Sequence, residues 1–190
     1  EVTLSVTADA DDIEALMCLR MELLREANGL PAGTSIPRAL IDEARSYFVQ
    51  GDQTTLLAYA GTEPVGCASL SYIRVMPTYS HPTGRRAHLM NVYTRAAYRR
   101  RGIARTLVAA LIAEAAARGV TEISLDATES GRPLYASLCF TENRDGMVLA
   151  SSAEQYGGMA GSTARFCTDT DKRYGQIDFI RAYQCLSVPF

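Results

Sequence analysis

The 190-residue sequence has no tryptophan, only two histidines, and five cysteines without a C-x-x-C pair. This odd number of cysteines indicates no disulfide framework, and the scarcity of histidine leads us to expect no metal site. No run approaches the ~20 apolar residues that a membrane helix needs. The first residues also lack the basic and then apolar segments of a secretion signal. We therefore expect a cytoplasmic protein without a membrane partner.

A large excess of either charge is also absent. The chain has 19 basic and 21 acidic residues, which give a net charge of −2 at pH 7. Nucleic-acid binders normally carry an excess of lysine and arginine over their surface. We therefore expect no nucleic-acid partner, and we look for local rather than general positive charge. With 47% hydrophobic residues, a chain of this length can bury the core of one domain.

Hydrophobic periodicity predicts the element order β-α-α-β-β-β-α-β-α-β-β. The predicted strands cover 2–6, 54–60, 65–75, 87–94, 121–127 and two short runs within 139–150, and the predicted helices start at Asp11, Arg38, Ile103 and Arg132. The two strands within 54–75 form an antiparallel hairpin, whereas 87–127 forms a strand, helix and parallel strand. The sheet is therefore predicted to be mixed.

The segment Arg99–Ala104, "RRRGIA", lies between a predicted strand and a predicted helix. The unpaired N–H groups in the first turn of a helix bind anions. Gly102 lets the main chain approach a ligand closely, and the arginines add positive charge. Neither G-x-x-x-x-G-K-[ST] nor G-x-G-x-x-G is present. We expect this loop to bind one polyanionic phosphate ligand.

Two motifs resemble those of the GNAT superfamily of N-acetyltransferases. "RRRGIA" matches the pyrophosphate loop that follows the family's fourth strand, Gln/Arg-x-x-Gly-x-Gly/Ala. "LYASLCF", residues 134–140, is similar to the family's later L-Y-x-x-L-G-F. Cys139 replaces the glycine of that motif, which implies a changed turn or left-handed strain at this position. The resemblance covers about residues 2–150.

The resemblance implies an α+β (α/β mixed sheet) fold of the GNAT-like acyl-CoA N-acyltransferase type. Its central mixed, mostly antiparallel sheet has splayed fourth and fifth strands and about four flanking helices. We assign this domain to residues 1–150. Residues 151–190 have no counterpart in the family, and we expect an ordered extension that packs on its own domain or on a partner subunit. A homodimer formed by exchange of this tail is one expected arrangement.

The resemblance also implies acetyl-CoA as cosubstrate. The loop that would hold its pyrophosphate consists of Arg99, Arg100, Arg101, Gly102, Ile103, Ala104 and Arg105. The backbone of Val92, Tyr93 and Thr94 at the end of the fourth strand would bind pantetheine and polarise the thioester carbonyl. No metal is implied.

By the same resemblance, a primary amine attacks the acetyl group directly and forms a tetrahedral intermediate. Tyr135 falls at the position of the general acid. The candidates for the base, or for contacts to the acceptor amine, are His88, Asp126 and Glu129. Glu22 and Glu26 on the first helix favour a small cationic acceptor such as a polyamine or an aminoglycoside antibiotic, which would make antibiotic resistance a possible role.

Other interpretations stay open on the sequence alone. The acceptor is alternatively a protein N-terminus or a lysine. A non-catalytic acetyl-CoA sensor would use the tail as its contact surface, and Tyr135 would then be a packed tyrosine with a locally satisfied hydroxyl. A nucleic-acid patch would use Arg85, Arg86, Arg95 and 99–101.

Overall fold

The protein is described by a computed structural model that covers residues 2–6 and 10–143. The strands are β1 Val2–Val6, β2 Gln53–Ala60, β3 Glu63–Arg74, β4 Arg85–Thr94 and β5 Glu122–Leu125. The helices are α1 Ala10–Ala27, α2 Arg38–Gln50, α3 Ile103–Ala117 and α4 Arg132–Ala136, and a 3₁₀ turn covers Ala96–Tyr98. Almost all of these residues belong to the first of two units into which the chain divides, Glu1–Thr141.

The five strands form one sheet in the order β1-β2-β3-β4-β5. The first four strands are antiparallel to their neighbours, whereas β5 pairs with β4 in parallel over four positions, Arg86↔Glu122 to Leu89↔Leu125. The parallel pair is connected through α3, as the strand, helix and strand pattern of residues 87–127 predicted. The predicted mixed, mostly antiparallel sheet is confirmed.

Each face of the sheet buries its own hydrophobic cluster. The strands alternate between the two faces, so Leu56 and Ala58 pack with the residues of α3, whereas Leu57 packs with those of α1 and α2. The buried face of α3 consists of Ile103, Leu107, Val108, Leu111 and Ala115. Each fully buried leucine contributes about 1.5–3 kcal/mol of transfer free energy. These two layers fix α1 and α3 on opposite sides of β4.

A β-bulge interrupts β4 where β5 leaves it. Cys67 pairs with Tyr93 and Ser69 with Met90, so two residues of β4, Asn91 and Val92, lie opposite the single residue between them on β3. Asn91 has the left-handed φ of 56°. Beyond Leu89, β5 no longer pairs with β4. The bulge bends the strand locally, and the outer edge of 90–94 has no strand partner among the described residues, so we call it the open edge.

Three helices end in the same hydrogen-bonded motif. After α1, α3 and α4, a left-handed residue donates its N–H across three residues, and the next residue donates across five. The left-handed residue is Gly29 after α1 and Gly119 after α3, but Cys139 after α4, with φ of 66°. The left-handed strain expected at Cys139 is therefore confirmed.

Some expectations differ from the structure or fall outside its range. The strand predicted over 121–127 is shorter in the structure, Glu122–Leu125, because its pairing with β4 ends at Leu89. Residues 140–143 are in neither helix nor strand, so the first of the two short runs predicted within 139–150 does not begin there. Residues 144–150 and the predicted extension 151–190 lie outside the described residues. None of the described helices combines the length and the hydropathy needed to cross a membrane.

Candidate active site

The loop before α3 presents a run of main-chain donors. The N–H groups of residues 100–105 donate no hydrogen bond to the described part of the chain, whereas the N–H of Thr106 donates to the carbonyl of Gly102 at 3.0 Å. Arg100 and Gly102 both have left-handed φ values, 62° and 83°. The positive end of the α3 dipole lies at the same point. The loop therefore has the free main-chain donors that an anion site requires.

Gly102 satisfies two requirements of such a site. Its φ of 83° lies in the left-handed region that side chains with a Cβ rarely adopt. A Cβ placed there would have no atom within 4 Å, so the space above this residue is open. The main chain at Gly102 is therefore open to a close approach, and binding of a phosphate ligand there stays a prediction.

The arginines of the loop differ in what they contact. Arg99 binds both carboxylate oxygens of Glu26 at 2.6 Å, so its charge is offset locally. Arg101 stacks over the Tyr98 ring at 5.2 Å, and Arg105 donates to the Ser137 hydroxyl at 2.7 Å. The side chain of Arg100 makes no contact of these kinds with the described residues, so it is the loop cation most available to a ligand.

The open edge of β4 leads directly into this loop. Val92, Tyr93 and Thr94 lie beyond the last residue that pairs with β5, and the carbonyl of Thr94 accepts a hydrogen bond from Arg99 at 2.8 Å. The Thr94 hydroxyl is buried and has no hydrogen-bond partner among the described residues. These positions are where an extended ligand could continue from the anion site along the strand.

Tyr135 is held by packing, with its hydroxyl left unbonded. Its ring meets the Phe140 ring edge to face, with centroids 5.9 Å apart. A Cβ added to Gly131 would lie 3.2 Å from the Tyr135 ring, so the start of α4 fits closely against it. The hydroxyl makes no hydrogen bond with the described residues, and burial raises the pKa of Tyr135 above its usual range. The phenol is therefore protonated at neutral pH.

The structure brings two of the three candidate bases together. His88 is buried, its Nδ1 lies 3.0 Å from the Ser124 hydroxyl, and its Nε2 lies 3.9 Å from Asp126. Burial lowers the pKa of His88, and the Asp126 carboxylate opposes this in part. Glu129 points elsewhere: its side chain is 98% exposed and pairs with Arg132 at 3.5 Å. His88 is thus neutral at pH 7 and able to accept a proton.

Glu22 and Glu26 are both paired with arginines of the segment between β4 and α3. Arg95 donates to Glu22 through two nitrogens, at 2.7 and 3.0 Å, and Arg95 also contacts Glu63 at 2.9 Å. The Arg95 guanidinium lowers the pKa of Glu22. The two glutamates therefore tie α1 to the strand and loop that contain the anion site.

One polar cluster near the open edge was missed in the sequence. Arg20 of α1 donates to the side-chain carbonyl of Asn91 at 3.2 Å, and the Asn91 amide donates to Ser69 at 3.3 Å. Asn91 and Ser69 are buried. The only available signal was an asparagine inside a strand pattern, a residue type that strands disfavour.

Comparison with a family model and with solved structures found similar proteins. Residues 21–139 match the model of the acetyltransferase (GNAT) family. No curated protein matches the sequence significantly. Among solved structures, a predicted acetyltransferase from Clostridium acetobutylicum, solved with acetyl-CoA, is 26% identical with a TM-score of 0.68, over 79% of this chain and 96% of the other.

Two further structures extend the likeness. A GCN5-related N-acetyltransferase from Ralstonia eutropha JMP134 is 25% identical with a TM-score of 0.65, over 79% of this chain and 99% of the other. An aminoglycoside acetyltransferase from an uncultured soil metagenomic sample is 16% identical with a TM-score of 0.59, over 80% and 95%, which is a likeness of fold alone. The family model spans more than half of this chain and includes the loop before α3. The chain belongs to the GNAT family of acetyltransferases.

Proposed function

We propose that this protein transfers an acetyl group from acetyl-CoA to the nitrogen of a primary amine. The observation that carries the proposal is the run of unbonded N–H groups at 100–105, which adjoins the open edge of β4. A diphosphate offers several anionic oxygens and fits such a row of donors at a helix start. Family membership and the neighbour solved with acetyl-CoA support the same cosubstrate.

The residues of the open edge position the thioester. Pantetheine extends from the loop along Val92, Tyr93 and Thr94, where β4 has lost its parallel partner. A main-chain N–H in this segment donates to the thioester carbonyl and stabilises the oxyanion that develops on attack. The buried Thr94 hydroxyl, unpartnered among the described residues, is a further polar atom at this position.

The proton steps use His88 and Tyr135. A neutral amine attacks the carbonyl carbon, and its surplus proton passes to the imidazole of His88 directly or through water. The carbon–sulfur bond then breaks, and Tyr135 gives its proton to the leaving thiolate. With ordinary pKa values near 10 and 8.5, this transfer would cost roughly 2 kcal/mol. Burial raises the pKa of Tyr135 and adds to this cost. Asp126 lies beside His88 and favours its protonated form after the step.

The acceptor class is less constrained by the glutamates than the sequence suggested. The case for a polyamine or an aminoglycoside depended on Glu22 and Glu26, and both carboxylates are paired with arginines. An acceptor on a protein would need the same primary amine. We therefore propose a primary amine as the acceptor. The roles of His88 and Tyr135 do not depend on whether the rest of the acceptor is charged.

Substitution of Tyr135 by phenylalanine tests the proposal. We expect kcat to fall by about 10²- to 10⁴-fold, the usual range for a lost proton donor, with an unchanged Kd for acetyl-CoA by calorimetry. Tyr79→Phe is the matched control, because Tyr79 is fully exposed. An unchanged kcat in Tyr135→Phe would contradict the role of Tyr135. Binding of acetyl-CoA without acetylation of any amine would instead identify a sensor.

A further inference from the structure

Several acidic side chains of the first two helices lie beside arginines. Four of their carboxylates form ion pairs with arginines. The pairs are Glu14–Arg45, Glu22–Arg95, Glu26–Arg99 and Asp42–Arg38. A cationic acceptor would have to displace these arginines before it could use the carboxylates. If α1 contacts a charged acceptor at the open edge of β4, it must therefore use a residue other than these four carboxylates.

Arg20 differs from these arginines because it forms no ion pair with a carboxylate of residues 2–6 or 10–143. The structure records one hydrogen bond from its side chain to the described residues, to the Asn91 carbonyl oxygen at 3.2 Å. A guanidinium has five N–H donors in a planar fork, so four remain. The side chain is half-buried, and burial lowers the pKa of Arg20 below its usual range. Within the described part of the chain, this partly buried cation lacks the anion that such groups normally have.

The position of Arg20 connects it with the reaction. Asn91, its partner, is the bulge residue at which β4 separates from β5. Met90, the preceding residue, is 39% exposed, so the surface next to Asn91 is open to solvent. His88 lies two residues further back on the same strand. The Asn91 amide donates a hydrogen bond to the Ser69 hydroxyl at 3.3 Å. This bond holds the Asn91 side chain, which in turn orients Arg20.

We infer that Arg20 binds an anionic group of the acceptor, a carboxylate or a phosphate, so that the substrate is an amine that also has a negative charge. The planar fork of arginine recognises both groups through paired hydrogen bonds. A ligand of this kind supplies the missing anion and places its amine on the α1 side of the open strand edge. The inference rests on the proposed acetyl transfer and names the class of its acceptor.

The test compares matched amines in an assay of CoA release from acetyl-CoA by the full chain. The panel contains free amino acids, each compared with its C-terminal amide, and phosphoethanolamine compared with ethanolamine. The two members of each pair differ only in the anionic group. We expect wild type to prefer the anionic member of at least one pair by about 10- to 100-fold in kcat/KM, as for a hydrogen-bonded charge. The amino acids and the amine phosphate distinguish a carboxylate from a phosphate.

Variants assign that preference to Arg20. Arg20→Met should lose the preference through a higher KM for the anionic amine, and Arg20→Lys should retain part of it. Arg38→Met is the matched control on the exposed surface of α2. The melting temperature and the Kd for acetyl-CoA report on folding. Should Arg20→Met not fold, the wild-type preference and Arg20→Lys still decide the question.

The outcomes separate this inference from the proposed function. If acetyl-CoA binds but neutral and anionic amines react equally, or no anionic amine reacts, the inference is wrong and the cofactor assignment stands. The same holds if Arg20→Met retains the wild-type preference. If acetyl-CoA does not bind at all, the proposed function fails first.

Discussion

Replacing Cys139 with glycine should stabilise the protein. Cys139 occupies the left-handed position after α4 with φ of 66°, where α1 and α3 have Gly29 and Gly119 with φ of 64° and 70°. The left-handed conformation costs a residue with a Cβ about 1–2 kcal/mol. Glycine removes this cost. Glycine also raises the conformational entropy of the unfolded chain, which lowers the free energy of unfolding by about 0.4–1 kcal/mol. The free energy of unfolding should therefore rise by about 0.5–1 kcal/mol.

The thiol itself contributes little to this balance. Cys139 is exposed and not in a disulfide, so its removal opens no cavity. The motif's two main-chain hydrogen bonds, from Cys139 to Ala136 and from Phe140 to Tyr135, both at 3.1 Å, do not involve the side chain. They should persist in the variant, and with them the ring contact that holds Tyr135. We therefore expect an unchanged Kd for acetyl-CoA.

Urea unfolding followed by circular dichroism measures the effect. A gain of this size raises the melting temperature by about 1–4 °C in a chain of this length. Cys139→Ala is the matched control, because it removes the thiol but keeps the Cβ, and it should give no such gain. Equal stabilities of the glycine and alanine variants would refute the reasoning from backbone strain.

Two further predictions concern the loop and the histidine. Gly102→Val should weaken acetyl-CoA binding by at least about tenfold in calorimetry, because it strains a φ of 83° and blocks the open approach. Gly33→Val is the control, because Gly33 has open space around it and no left-handed φ, and it should not weaken binding. Equal losses of affinity in the two variants would contradict this prediction. Burial lowers the pKa of His88 in the folded state, so the unfolded chain binds more protons there and stability should fall as the pH falls. Relative to His88→Gln, wild type should lose stability in urea between about pH 7 and pH 5, and a constant difference would be evidence against a buried neutral His88.

Local patterns predicted much of the fold. The apolar stripe of α3, the hairpin of β2 and β3, and the strand-loop-helix order around Gly102 each depend on residues close in sequence. At Cys139 the sequence left a changed turn and left-handed strain as alternatives, and the structure shows the left-handed conformation with φ of 66°. Where a few neighbouring residues determine a conformation, the sequence was sufficient.

The partners of charged residues could not be read in the same way. Glu22 and Arg95 are 73 residues apart, as are Glu26 and Arg99, and Arg20 and Asn91 are 71 apart. No periodicity links such positions, because only the packing of α1 across β4 brings them together. The sequence therefore indicated the glutamates as free contacts for a cation, whereas the structure pairs them. The bulge at Asn91 was missed for the same reason, since it is defined by its register with β3.

Calorimetry with acetyl-CoA and with S-acetylpantetheine tests the central claim most directly, because the second compound has the thioester but lacks the diphosphate and the phosphoadenosine attached to it. If the N–H groups of residues 100–105 hold the diphosphate, acetyl-CoA should bind at least about 100-fold more tightly, as several charge-assisted hydrogen bonds would give. Equal affinities for the two compounds, or no heat with acetyl-CoA, would contradict the account.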